Sequence, residues 1–228
     1  MQALLLPVKD LNNAKERLIG ALSPQERFAL AEAMLADTIR AVKGVRLAEK
    51  VFVVTNYSRA MHLAEENHWE ILSEQQQISE SHSVDAASKL CEQRGVTRLL
   101  RVPLDLPLMQ SSDMDELFAA DCSSPGLVIV PSRDGTGTNA ILRTPPGLFP
   151  SHFGTGSFAK HLAEAENARA QVLICRNARL ELDVDDESDL RALLEQDLTA
   201  TETGRWLRSS GVAAKFSAGL RAGAMSAR

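Results

Sequence analysis

The sequence lacks the material for several common designs. Only 3 of its 228 residues are cysteine. Cys91, Cys122 and Cys175 are widely spaced, odd in number and form no C-x-x-C pair, which argues against a zinc ribbon and against a disulfide framework. Reduced, buried thiols are the expectation. Aromatic residues make up only 4% of the chain, so the core must be built from Leu, Val, Ile and Ala. There is no excess of positive charge. The formal net charge is −5, which excludes the broad basic face of a general nucleic-acid or membrane-surface binder. It leaves room for a phosphorylated ligand, because a few local bases and a metal can reverse the field within one cleft. No apolar run approaches membrane-spanning length. The run that opens the chain, Ala3 to Val8, is too short for a signal peptide and lacks a basic start, so a cytoplasmic protein is expected.

What is present alternates between short apolar runs and helical patterns. Ala3–Val8, Val51–Thr55, Glu70–Leu72, Arg98–Val102 and Leu127–Pro131 read as buried strands bounded by polar or turn residues. The stretch Ser23–Val42 is the clearest helix. Ser23 is its N-cap, Pro24 occupies the first turn, Glu26 completes a capping box and Gly44 ends it. Further helices are predicted over Ser58–Asn67, Val84–Arg94, Ser111–Ala120, Ser157–Asn167 and Ser188–Gln196, with Ser157 and Ser188 as N-caps. Alternating strands and helices predict an α/β fold with a mostly parallel central sheet and helices on both faces. Its ligands should bind in loops at the carboxyl ends of the strands. The expected domain spans residues 1–208. The Ala-, Ser-, Gly- and base-rich stretch Ser209–Arg228 reads as a flexible tail.

Five segments sit where such a fold carries chemistry. After the first strand come Lys9, Lys15 and Arg17, three bases in one polar loop. Together they could grip a triphosphate, or simply be solvated. In Val102-Pro103-Leu104-Asp105-Leu106-Pro107, a carboxylate stands at a strand end between two stiffening prolines. Asp105 among apolar neighbours needs a cation or donors, and magnesium is a natural partner; a turn or helix-cap aspartate is the plainer alternative. The segment Arg133-Asp134-Gly135-Thr136-Gly137-Thr138-Asn139-Ala140 offers backbone N–H groups and the donors Thr138 and Asn139 to an anion. On its own it reads as a hairpin turn. Gly154 and Gly156 precede Ser157 and a helix start, a ready phosphate or carboxylate site. His152 and His161 nearby receive no catalytic role. Finally, Asp183 and Asp185 project to one side if the chain is extended there, and one could be a second metal carboxylate.

As a set, and in this order from Met1 to about Leu194, these segments resemble the 2-phospho-L-lactate, phosphoenolpyruvate and 3-phospho-D-glycerate guanylyltransferases of deazaflavin coenzyme F-420 biosynthesis. The Gly-Thr-Gly-Thr-Asn loop, the Phe-Gly-x-Gly-Ser-Phe segment and the Asp-Val-Asp run are specific only together. The resemblance implies a glycosyltransferase-A-like nucleotidyltransferase fold, GTP and magnesium (Mg2+), GMP transfer to a phosphorylated three-carbon acid, and release of pyrophosphate. It places the phospho-acid at Thr138, Gly154 and Ser157, the metal at Asp105 with Asp183 or Asp185, and the triphosphate at Lys9, Lys15 and Arg17. Asp105, Lys15 and Arg17 would carry catalysis. Two positions depart from the family pattern. Ser83-Val84-Asp85-Ala86-Ala87 stands where Asn-Ala-Ala is usual, with Asp85 expected to accept from guanine, and Ser132 stands where aspartate is commoner. A homodimer is left open. A molybdopterin-type nucleotidyltransferase would need a glycine-rich loop after the first strand, where Lys9-Asp10-Leu11-Asn12 stands instead. A non-catalytic nucleotide-binding module would not need both Asp105 and Asp183.

Overall fold

A computed structural model describes residues 1–74, 76 and 78–216. Its strands are β1 (Gln2–Pro7), β2 (Lys50–Thr55), β3 (Glu70–Ser73), β4 (Arg98–Arg101), β5 (Gly126–Pro131), β6 (Thr138–Thr144) and β7 (Gln171–Ile174). They form one sheet in the order β3-β2-β1-β4-β6-β5-β7. All neighbours pair in parallel except at β6, which is antiparallel to both β4 and β5. The helices are α1 (Pro24–Lys43), α2 (Ser58–Glu66), α3 (Glu80–Gln93), α4 (Ser111–Ala119), α5 (Ser157–Asn167), α6 (Ala178–Glu181), α7 (Glu187–Leu194) and α8 (Glu202–Ser209).

The period-2 alternation of the strands decides which helix covers which face. On β1, Leu4 and Leu6 pack with residues of α1, α2 and α4, among them Val42, Ala64 and Phe118. Ala3 and Leu5 point the other way and pack with Val84, Ala87 and Cys91 of α3. Farther along the sheet, α5 covers Leu127, Ile129 and Ile141. Helices therefore lie on both faces, as a parallel sheet requires. The helix α1 starts as its sequence dictates: Ser23 Oγ accepts from the Glu26 N–H (3.2 Å), Glu26 Oε2 accepts from the Ser23 N–H (2.9 Å), and Pro24 follows the cap. Such a cap is worth about 1 kcal/mol. No described helix is long and apolar enough to cross a membrane.

Several expectations need correction. Strands β6 and β7 and helices α6 and α8 were not anticipated. The cap of α5 is Gly156, whose φ of 69° suits glycine, and Ser157 is the first helical residue. Asp186, not Ser188, caps α7, accepting from the Ser188 and Asp189 N–H groups. Residues 209–216, assigned to a tail, are packed: Val212 and Phe216 are buried against Leu30, Met34, Leu190 and Leu207. Apolar side chains at those two positions bring the segment back onto α1 and α7. Residues 217–228 of that tail lie outside the described residues.

Candidate active site

The ends of β1 and β4 open into a cleft of about 1010 Å³. One wall is the loop after β1, where Asp10 and Lys15 head two short turns of 3-10 helix. The opposite wall is the β5–β6 hairpin and the loop that enters α5. Of the residues singled out in the sequence, Lys9, Lys15, Arg17, Asp105, Thr138, Gly154, Ser157, Asp183 and Asp185 line this cleft. Segments far apart in the chain thus meet at the carboxyl side of the sheet, the position an open α/β fold reserves for ligands.

The carboxylates meet because the backbone ties their segments. Asp105 lies four residues beyond the end of β4, and its carbonyl accepts from the Val184 N–H at 3.1 Å. Val184 is fully buried, and Asp183 and Asp185 on either side both face the cleft. Lys15 stands between two of the three acids. Its Nζ is 2.9 Å from Asp105 and 3.1 Å from Asp185. Burial opposes its charge, but Asp105 and Asp185 together outweigh it and hold the ammonium above its ordinary pKa. Burial also disfavours the Asp105 anion, yet Lys15 and Arg101 win and hold that carboxyl below the usual range. Among the described residues Asp183 has no ammonium partner. Burial first, then repulsion from Asp105 and Asp185, push it up to about 6 despite a hydrogen bond from Asn139. Arg17 reaches Asp185 from the solvent side, 3.6 Å away and 70% exposed. Among the described residues no group of three or more His, Cys, Asp or Glu side chains forms a closed metal cage. Asp105 and Asp183 lie close enough to repel each other, and of the two Asp105 alone pairs with Lys15.

The segment after β5 is the hairpin turn that its residues, taken alone, suggest. The N–H groups of Gly135, Thr136 and Gly137 are already used, donating to Ser132 O, Asp134 Oδ1 and Ser132 Oγ at 2.9, 2.9 and 2.7 Å. They close the turn rather than line an anion site. A Cβ at Gly137 would meet Ser132 Oγ at 2.9 Å and force that side chain to shift. Thr138, the first residue of β6, does face the cleft. Asn139 is an anchor: its side-chain amide donates to Leu180 O, Glu181 O and Asp183 Oδ1. The α5 cradle is likewise partly closed. The Ser157 N–H donates to Gly154 O and the Phe158 N–H to Thr136 O, both at 3.1 Å. The Ser157 hydroxyl therefore remains as a side-chain donor for a ligand, beside the positive end of the helix.

Asp85 does not belong to this set. It stands apart from the cleft lining, accepting from the Ser151 N–H with both oxygens (3.0 and 3.1 Å) and pairing with Arg143 at 3.6 Å. Arg143 is 2% exposed, and a buried guanidinium needs an anion. Asp85 supplies it, so the carboxylate expected to meet guanine is engaged by Ser151 and Arg143. Asp85→Asn is expected to lower stability by about 1–2 kcal/mol. The KM for GTP should stay within about twofold of the parent, which melting and steady-state kinetics would check.

Arg101 was overlooked. It ends β4 in the floor of the cleft, its guanidinium 4.1 Å from the Phe153 ring centroid, paired with Glu80 and donating to Asn139 O at 3.1 Å. Burial pulls it down to about 10, still charged at neutral pH, and it adds positive potential beside Asp105 and Asp183. A basic residue interrupting the apolar run Leu99-Leu100-Arg101-Val102 was the available signal.

Residues 1–226 match the family model described as "Guanylyl transferase CofC like". A phosphoenolpyruvate guanylyltransferase from Conexibacter woesei is 36% identical over 193 residues, covering 84% of this chain and 86% of that protein. A 2-phospho-L-lactate guanylyltransferase from Methanothermobacter thermautotrophicus is 29% identical over 190 residues, covering 83% and 82%. Among solved structures, a protein from Desulfovibrio desulfuricans G20, described as a candidate nucleotide-diphospho-sugar transferase, superposes with a TM-score of 0.77. It is 16% identical and covers 94% of this chain and 97% of its own. That likeness is one of fold, a nucleotidyltransferase-type sheet.

Proposed function

The chain belongs to the guanylyl transferase CofC-like family, and from that premise we propose that it transfers GMP from GTP to a phosphorylated three-carbon acid and releases pyrophosphate. Phosphoenolpyruvate, 2-phospho-L-lactate and 3-phospho-D-glycerate are the acceptors in question, and deazaflavin coenzyme F-420 biosynthesis is the setting. The observation that carries the reading is the meeting of Asp105 and Asp183 in one cleft with Thr138 and Ser157.

The reaction needs little covalent help. An oxygen of the acceptor's phosphate attacks the α-phosphorus of GTP. A new P–O bond forms as the bond to the bridging α–β oxygen breaks, and pyrophosphate leaves with those electrons. The attacking phosphate is already ionised near neutral pH, so no strong general base is required. The task left to the protein is to hold two anions together and neutralise charge. Lys9, Lys15 and Arg17 on one wall suit the triphosphate. Ser157 and Thr138 on the other offer hydroxyls to the acid, and Arg101 adds charge beneath it.

The donor set fits a divalent cation. Burial and then repulsion from Asp105 raise Asp183, while Lys15 pairs with Asp105 and Asp185. Asp105 with Asp183 or Asp185 would hold magnesium, and Lys15 pairs with Asp105 at 2.9 Å and with Asp185 at 3.1 Å. Bound there, the ion would supply charge neutralisation at the phosphates.

Ser157→Ala tests the assignment of the two walls. The KM for the acceptor is expected to rise roughly tenfold, the effect of losing one hydrogen bond to a charged group, while the KM for GTP changes little. If GTP affinity alone fell, the walls would be exchanged. Phosphorus NMR of the product should show a new diphosphate linkage between GMP and the acid.

A further inference from the structure

His161, on α5, is fully buried. Its ring meets Phe153 edge-on with centroids 5.2 Å apart, and Phe149 lies 6.1 Å away. Both ring nitrogens are engaged. The backbone N–H of His152 is 2.9 Å from Nε2. A backbone amide can only donate, so Nε2 must present its lone pair. Burial, with Arg143, His152, Arg101 and Lys160 as the charged and titratable neighbours, pulls the ring's pKa down to about 3 and keeps it neutral. A neutral imidazole with a bare Nε2 carries its hydrogen on Nδ1. That nitrogen is 3.0 Å from Thr138 Oγ1. Nδ1–H therefore donates to the threonine oxygen.

The Thr138 hydroxyl hydrogen must then turn elsewhere. Among the described residues it meets no protein acceptor, and Thr138 lines the cleft. We infer that His161 is a positioning residue: by donating from Nδ1 to Thr138 Oγ1, it aims the Thr138 hydroxyl into the cleft as an obligate donor to an anionic oxygen of the acceptor. The relay runs from the His152 N–H to His161 and on to Thr138, each bond polarising the next. The opposite tautomer would set two donors against each other at 2.9 Å. The relay also selects. A threonine free to rotate can greet a donor or an acceptor, whereas this one favours phosphate or carboxylate oxygen over a hydroxyl or amine. His152 steadies the start of the chain, its Nε2 lying 2.8 Å from Glu164 Oε1.

The inference rests on the cleft taking a phospho-acid, and two measurements on the full chain separate its failure from the failure of that reading. Long-range proton–nitrogen correlation on protein labelled with nitrogen-15 histidine reads the tautomer directly. With 5 histidines in the chain, the His161→Asn spectrum assigns the ring by difference. A neutral Nδ1–H form that persists through the pH range where free imidazole titrates is expected; an Nε2–H form or an imidazolium would overturn the inference. Kinetics give the second readout. His161→Phe is expected to raise the acceptor KM roughly tenfold with GTP nearly unaffected. His161→Asn, whose amide N–H can replace Nδ1–H, should recover most of that loss. In a Thr138→Val background His161→Phe should have almost no further effect. Parallel rises in both KM values, or effects that multiply in the double variant, would overturn the inference. If the parent released no pyrophosphate with any acceptor, the functional reading would fail, and the tautomer would still decide how Thr138 is oriented.

Discussion

Asp105→Asn is expected to keep the fold and lower kcat by roughly a thousandfold, the scale of removing one preorganised electrostatic group from a reaction centre. Asparagine has the shape of aspartate and keeps an oxygen near Lys15 Nζ. The backbone tether from the Val184 N–H to the Asp105 carbonyl does not involve the side chain at all. What disappears is one negative charge of the pair that would hold magnesium. Lys15 would then lean on Asp185 alone. The ion pair is partly exposed on the Asp105 side, 26% by side-chain surface. Its loss should therefore cost less than about 2 kcal/mol of stability. Turnover and melting temperature measured on the same preparation check both halves. Turnover within tenfold of the parent would remove Asp105 from the metal role.

Arg143→Met is expected to be the most destabilising of the substitutions considered, by about 3 kcal/mol, because it breaks a buried ion pair on one side only. The guanidinium donates to Phe149 O and Ser88 Oγ, each at 2.7 Å, pairs with Asp85 at 3.6 Å and lies 5.7 Å from the Phe149 ring centroid. Methionine fills much of the volume but leaves the Phe149 carbonyl unpaired, while the Ser88 hydroxyl keeps only its bond to Val84 O at 2.7 Å. Asp85 keeps the Ser151 N–H and some access to water, which limits the loss. For a domain of this size the fall in Tm should be about 10 °C. A shift of only a degree or two in a thermal melt would mean that this network contributes little. Because Arg143 sits outside the cleft lining, residual kcat per folded molecule should stay close to the parent value.

The same residue explains where sequence reading stopped. Five strands and six helices were legible because each combines an apolar run or helical period with nearby turn or capping residues. Strand β6 was not, since it begins with Thr138 and Asn139 and carries Arg143 near its end, which breaks the apolar pattern. Missing β6 also hid the partner of Asp85, 58 residues away, so its carboxylate looked available for guanine. Strand β7 has four residues at the sheet edge, too few to show a period. Helix α8 is polar and contains Gly204. Part of its N-terminus is satisfied by Asp37 of α1, which accepts from the Glu202 and Thr203 N–H groups at 2.7 and 2.9 Å. The local cap, Thr201, which accepts from the Gly204 N–H at 2.9 Å, was the one signal in the sequence, and Asp37 supplies the rest from 165 residues away.

Much of the site was legible for a physical reason too: charged and glycine-rich residues at strand ends are conspicuous in a sequence of buried strands. Lys15, Asp105, Asp183, Asp185, Thr138 and Ser157 do converge. What sequence could not show is how those groups are already engaged. Lys15 bridges two acids, Asn139 anchors Asp183, the hairpin amides close on themselves, and His161 fixes the Thr138 hydroxyl. Each of these depends on contacts across the fold rather than on neighbours in the chain.

The central claim, GMP transfer to a phosphorylated three-carbon acid, is tested most directly by pyrophosphate release in a matrix of substrates. The chain would be incubated with magnesium and each of GTP, ATP and CTP, against phosphoenolpyruvate, 2-phospho-L-lactate, 3-phospho-D-glycerate and a sugar phosphate. Release is expected with GTP and at least one of the three acids, and in no mixture lacking a phosphorylated acid. Release that required the sugar phosphate, that favoured CTP, or that failed with every acid would contradict it.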